Sequence, residues 1–333
     1  MRLRALISFL CVIVLAISLL QPRFSAATAE SSGPQAKTPA AIQEPQQPIR
    51  VQVNLVNLFV TVRDRQKRII PDLTQDDFRL FEDSQEQKIA FFSRETSLPI
   101  TLGLLIDTSG SEERMLPAEQ EAASRFLQRV LRPKDLAMVI SFDLDVDLLS
   151  DFTSDRGQLD RAIQRARINA PRVPIMVQGP VPQRGSKGTN FYDAVYLACR
   201  EKLASEAGRK ALVILTDAVD NGSKMRVEDA LQAAQRTDAV VHILLVYDPA
   251  YGNNEGVAKK LAEETGGRMI IVRHEKKLEE AFDQLSEELR SQYTLGYYSA
   301  NLNRDGRFRK IKIETPRKDL HVLARKGYYA PKD

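Results

Sequence analysis

Between about Pro99 and Arg290, short apolar runs alternate with windows in which apolar residues recur at helical spacing. The runs at 101–106, 136–142, 211–215, 240–246 and 268–272 are too short for helices and too continuously apolar for half-exposed strands, so they read as strands buried on both faces. Between the first two, residues 115–131 place Leu116, Ala123, Phe126, Leu127, Val130 and Leu131 on one helical stripe, with Pro117 tolerated in the first turn. Leu278, Phe282, Leu285 and Leu289 mark a later helix, and Gly266-Gly267 supplies a stop for the helix containing Val257 and Leu261. Strand and helix in alternation predict an α/β fold: a Rossmann-like, doubly wound, mostly parallel sheet over residues 99–291.

The flanks follow a different period. Val51, Val53 and Leu55 alternate with polar residues, and Leu58, Val60 and Val62 resume the alternation after a slip near Val56-Asn57, which predicts a bulge. "FRLFED" and "KIAFFS" follow across a polar turn, and after Tyr293 the strand pattern returns in "YTLGYY", "FRKIKIET" and "LHVLARKGYY". Residues 49–98 and 292–333 are therefore expected to combine into one β-sandwich-like domain built from both ends of the chain.

The first 29 residues carry Arg2 and Arg4, an apolar stretch from Ala5 to Leu20, and Ala27-Thr28-Ala29 as a small-residue cleavage site, the pattern of a secretory signal peptide. Residues 30–48, rich in Pro, Gln, Ala and Ser, read as a disordered tether. The expected destination is the periplasm or the medium. Loss of residues 1–29 removes three Arg and no acid, so the formal charge falls from +4 to +1 and the case for nucleic-acid binding disappears. Cys199 is left without an intrachain partner, so stability must come from the core rather than from disulfides. The segment Pro171 to Gly188, with four Pro and three Gly, fits no regular element.

Candidate chemistry starts in "LGLLIDTSGSEERM". Asp107 lies at the carboxyl end of the first α/β strand, where open parallel sheets bind ligands, and Asp107-x-Ser109-x-Ser111 puts a carboxylate and two hydroxyls into one tight loop. Taken alone, such a cluster also makes turns and helix caps. Thr189, just before a helix in "KGTNFYDAV", and Asp217, at the carboxyl end of another strand in "LVILTDAVDNGS", bring the oxygen donors to five. That set suits a hard divalent cation and leaves room for an outside ligand.

At these residues the chain resembles the von Willebrand factor type A domain, and Asp107, Ser109, Ser111, Thr189 and Asp217 match its metal-ion-dependent adhesion site. "LLIDTSGS", "GTNFYDAV", "LVILTDAVDN" and "LAEETGG" carry the likeness, and the flanks look like those of exported bacterial proteins related to that domain. The resemblance implies a site for Mg²⁺, with Mn²⁺ or Ca²⁺ as alternatives, whose shell is completed by an Asp or Glu of a protein partner. It implies neither nucleic-acid binding nor membrane insertion once the signal is cleaved. Ala218 stands where many members of the family have Gly. A structural role in an envelope or secreted assembly, with the metal only stabilising, is the alternative.

Enzymatic readings find less support, and no catalysis is expected. "IDTSGS" differs from the aspartic-protease loop by an intervening Ser109 and has no second copy. Asp143 and Asp145 resemble the acid pair of haloacid-dehalogenase phosphatases, but no later strand ends in paired acids, and a polar hairpin accounts for them. The run from Asp143 has Leu148 and Ser154 where a calcium-binding EF-hand loop needs Gly and Glu. His242 is expected in the core, Tyr297-Tyr298 and Tyr328-Tyr329 as packing residues, and the nine basic residues from Arg304 to Lys326 on a solvated strand face.

Overall fold

The computed structural model describes residues 55–94, 98–168, 188–247 and 252–332, all within one unit spanning Val51–Asp333. The signal, the tether, the start of the first β segment and the 171–188 loop up to residue 187 lie outside the described residues. In chain order the elements are β1 (Leu55–Arg63), β2 (Arg79–Glu82), β3 (Gln85–Gln87), β4 (Ile89–Ser93), β5 (Ile100–Asp107), α1 (Leu116–Val130), β6 (Leu136–Phe142), β7 (Val146–Thr153), α2 (Arg156–Ile163) and α3 (Phe191–Leu197). They continue with β8 (Arg209–Thr216), α4 (Val227–Thr237), β9 (Ala239–Val246), α5 (Glu255–Thr265), β10 (Met269–Val272), α6 (Glu275–Arg290), β11 (Tyr293–Tyr298), β12 (Phe308–Glu314), β13 (His321–Leu323) and β14 (Gly327–Tyr329).

Six strands form the central sheet in the order β10-β9-β8-β5-β6-β7, with only the edge strand β7 antiparallel to its neighbour. Alternate residues of β5 feed opposite faces. Leu102, Leu104 and Ile106 pack with Phe126 and Leu127 of α1 and with Phe282 and Leu285 of α6, whereas Leu105 packs with Phe191 of α3 and Leu261 of α5. Burial on both faces is what produced the unbroken apolar runs. The packing around Gly103 is close: a Cβ there would lie 2.5 Å from a terminal methyl of Leu212 and 2.8 Å from that of Met138, so both side-chain ends would have to shift. Gly266 ends α5 in the left-handed region at φ 86°, the stop expected from Gly266-Gly267. Chain connections turn one way from β5 to β6 and the other way through β8, β9 and β10, so strand order reverses between β5 and β8.

Two antiparallel sheets, β13-β1-β11-β4 and β14-β12-β2-β3, each mix strands from both sides of the α/β segment and share one core. Val56, Leu58, Val60 and Val62 of β1 face Leu80, Ile311 and Tyr328 across it. The bulge expected near Val56-Asn57 is absent. Leu55–Val60 pair with Tyr298–Tyr293 in unbroken register, because Val56 is in phase with Leu58 while Leu55 is 46% exposed on the outer side. The irregularity falls instead at Gly296/Tyr297, where β11 meets β4. Tyr297 and Tyr328 are buried and donate their hydroxyls to Glu82 at 2.5 and 3.1 Å, whereas Tyr298 is 46% exposed and packs edge-on against Phe91 with ring centroids 5.8 Å apart. Arg309 also departs from the solvated face, being buried against Asp305 at 3.2 Å.

A buried ion pair fastens α6 to the β region. Arg63 of β1 donates to Glu288 at 2.6 Å, and Arg268 approaches the same carboxylate at 3.4 Å. His242 of β9 is buried among these groups, as expected of a core residue, and burial pushes its pKa down to about 4. Removing one partner of a buried pair leaves the other charge without compensation. Arg63→Ala should therefore lower the unfolding free energy by roughly 3 kcal/mol in urea denaturation, with Arg268 the remaining partner of Glu288.

Candidate metal centre

Asp107 is the last residue of β5 and is fully buried. One of its carboxylate oxygens accepts the Ser109 N–H at 2.9 Å and the other accepts the Thr216 hydroxyl at 2.6 Å, so the group is held from its own loop and from the end of β8. Thr108 points away and donates to Asp143 at 3.2 Å. The Ser109 and Ser111 hydroxyls lie 3.0 Å apart at a short 3₁₀ turn, Gly110–Glu112, that leads into α1.

Thr189 reaches this end of the sheet through backbone and side-chain ties to the loop that follows β8. Its N–H donates to the Asn221 side-chain oxygen at 2.7 Å, and its carbonyl accepts from the Asn221 N–H at 3.3 Å. The first N–H groups of α3 are taken up by the same loop: Tyr192 donates to Asp220 at 2.9 Å and Asp193 to the Ser223 hydroxyl at 3.0 Å. Asn221 thus ties Thr189 to the loop that follows β8. Asp143 and Asp145 form the polar hairpin expected between β6 and β7, joined by hydrogen bonds of 3.0 and 3.1 Å.

Asp217 directly follows β8, is buried, and accepts the Val219 N–H at 2.9 Å. The next residue explains the family's preference at this position: Ala218 adopts φ 59°, the left-handed region that favours glycine. The strained turn is held by the Ala218 N–H, which donates to Thr216 at 2.9 Å. Asp107 and Asp217 therefore stand at the carboxyl ends of β5 and β8, flanking the point where strand order reverses, the usual place for a ligand in an open parallel sheet.

A further carboxylate joins them. Oxygens of Asp107, Asp217 and Glu112 all lie within 4.8 Å of one another, and all three residues are buried. Glu119 of α1, also fully buried, meets the Glu112 carboxyl. No donor reaches either oxygen of Glu119 or Oε2 of Glu112. Sequence reasoning missed both residues. Glu112 and Glu119 continue the spacing of Leu116 and Ala123 on the inner stripe of α1, so two acids in an otherwise apolar stripe were the available signal.

Burial, and then the neighbouring Asp217, push the Asp107 pKa up to about 7, and burial pushes Glu119 up to about 8. Glu112 and Asp217 are raised as well, in each case chiefly by burial. A divalent cation would relieve this crowding, and the donor set, carboxylate and hydroxyl oxygen with neither imidazole nor thiolate, fits a hard ion. The thiol of Cys199 is buried elsewhere and raised to about 12, which makes it unreactive.

A carboxyl whose pKa is higher folded than unfolded keeps a proton that the unfolded chain has released, so stability falls as pH rises between the two values. His242 acts in the opposite sense, but only below its unfolded value of 6.5. In chelator, the urea midpoint should therefore drop as pH rises from 6.5 through about 8, the folded value of Glu119, and Glu119→Gln should reduce the drop. A saturating divalent cation should shrink the pH dependence of the wild type, because it competes with the retained protons.

Residues 102–222 match the family model of the von Willebrand factor type A domain. No curated protein matches the chain. Among solved structures it is similar to the conserved hypothetical protein BatB from Bacteroides thetaiotaomicron, at 18% identity and TM-score 0.44 over 58% of this chain and 100% of that one. It is similar to a von Willebrand factor type A protein from Catenulispora acidiphila, at 11% identity and TM-score 0.48 over 86% and 75%. Proximal thread matrix protein 1 from the mussel byssus, with a zinc-occupied site of this type, aligns at 14% identity and TM-score 0.49 over 63% of this chain and 50% of its own length. The segment matched by the family model contains Asp107, Ser109, Ser111, Thr189 and Asp217, and the chain carries a von Willebrand factor type A domain.

Proposed function

We propose that this protein is an exported, non-catalytic binding module. Its cation, Mg²⁺ by preference with Mn²⁺ or Ca²⁺ as alternatives, is held by Asp107, Ser109, Ser111, Thr189 and Asp217, and takes a carboxylate from a protein partner. The observation that carries this reading is the convergence of buried carboxylates and paired hydroxyls at the reversal of strand order, where burial has already raised the pKa of both aspartates. Neutral hydroxyls leave the ion more positive than an all-carboxylate shell would, and so receptive to an acidic side chain. Export rests on the basic and apolar pattern of residues 1–29, and no helix of the described residues is long and apolar enough to cross a membrane.

The non-catalytic assignment rests on the groups around the site. Asp143, the nucleophile of the phosphatase-like reading, is engaged instead by the Thr108 hydroxyl and by the backbone of its own hairpin.

Immobilised wild type should retain an envelope protein in Mg²⁺ and release it in chelator, and Asp107→Ala should retain nothing. Wild type should also gain thermal stability with Mg²⁺, by about 2.7 kcal/mol at a hundredfold excess over Kd, while Asp107→Ala gains none. Undiminished, cation-independent capture by a variant that has lost the thermal gain would leave the metal a purely structural role.

A further inference from the structure

The five-residue ligand set leaves Glu112 unexplained. It sits immediately after Ser111, is 1% exposed, and its Oε2 has no donor. An acidic side chain at the start of a helix is ordinarily held there by backbone N–H groups. The Glu112 oxygen instead lies within 4.8 Å of oxygens of both Asp107 and Asp217, where two like charges repel it. Behind it stands Glu119, 0% exposed with neither oxygen served by a donor. A buried carboxylate with one oxygen that no donor reaches, backed by a second carboxyl, lacks a counter-charge, and the aspartates ahead of it mark where that charge would bind.

The distances permit a single ion. Oxygen ligands stand about 2.0–2.6 Å from Mg²⁺ or Ca²⁺, so two ligands of one ion are separated by at most about 5 Å. Three oxygens mutually within 4.8 Å satisfy that limit without movement of the backbone. We propose that Glu112 is a third carboxylate ligand, supplied by the chain itself, in the position that an incoming acidic side chain would otherwise fill. This inference rests on the metal-site reading above and deepens it. With three carboxylates the occupied site carries a net negative charge, so a partner's acid must displace Glu112 rather than enter a vacant position. Glu119 then acts as a positioning residue that presses the Glu112 carboxyl toward the ion.

Mn²⁺ alone is the probe, on the mature protein, with affinity read by calorimetry and ion-bound water by proton relaxation. Glu112→Gln, nearly isosteric, should bind Mn²⁺ at least about tenfold more weakly than wild type and show higher relaxivity, because water takes the place of the lost oxygen. Glu112→Asp, which keeps the charge but retracts it by one methylene, should also gain water, and it carries the test if the Gln variant does not fold. Glu119→Gln removes the charge that presses Glu112 toward the ion, and should raise relaxivity toward that of the Glu112 variants while weakening Mn²⁺ binding less than Glu112→Gln does. Wild-type affinity and relaxivity in both Glu112 variants, with Asp107→Asn losing the ion, would overturn this inference and leave the metal site standing. A wild type that binds no Mn²⁺ would overturn both.

Discussion

Four carboxyls buried together at one end of a parallel sheet are the constraint on which the rest of the site depends. Asp107, Glu112, Glu119 and Asp217 are shifted by burial, by one another and by neutral hydrogen-bond donors, and among the described residues no Lys or Arg figures in the main causes. Hydroxyl and N–H donors can orient such a cluster, as Thr216 and the Ser109 backbone orient Asp107, but they cannot neutralise it. Protons or a cation must supply the missing charge. Proton retention and metal binding are thus competing solutions to one electrostatic problem, and the pH at which one replaces the other is set by burial.

Much of this architecture was legible in the pattern of apolar residues, and the reason is geometric. Strands buried on both faces appear as unbroken apolar runs, and a run that stops at an acid marks the carboxyl end of its strand, as at Asp107 and Asp217. What the pattern hid was phase. In β1, Val51, Val53 and Leu55 appeared to set the inward face, yet Leu55 points outward and Val56 inward, so the inferred slip was no bulge. In α1 and the turn that leads into it, the apolar members mark the inward stripe, and Glu112 and Glu119 on the same stripe do not stand out because acids ordinarily face water. Tyr298 shows the same effect of phase: two adjacent strand residues face opposite sides, so Tyr297 is buried while Tyr298 packs on Phe91 at the outer face.

Ala218 shows how a local cost is carried by its surroundings. A left-handed alanine is disfavoured by about 1–2 kcal/mol, and the turn persists because Thr216 accepts the Ala218 N–H while Asp217 accepts that of Val219. Thr216 serves two purposes at once, since the same hydroxyl donates to Asp107. The turn after β8 and the carboxylate at the end of β5 are therefore fixed by one side chain, and neither can move far without disturbing the other. The methyl group of Ala218 is fully buried in the apolar cluster of that face, which offsets part of the backbone cost.

The site is also joined mechanically to the opposite side of the fold. Glu119 is part of α1, and α1 packs against α6 through Phe126 and Phe282, whose rings stack at 4.7 Å, and through ion pairs from Arg125 to Glu279 and from Arg129 to Asp283. Helix α6 is in turn held by Glu288 to Arg63 of β1, whose strand belongs to the sandwich core. Exposed pairs such as those of Arg125 and Arg129 contribute little and yield readily, whereas the buried Glu288 pair resists separation. A displacement of Glu112 by an incoming ligand would therefore meet compliance along α1 and the α1–α6 contact, and resistance where α6 is anchored to β1.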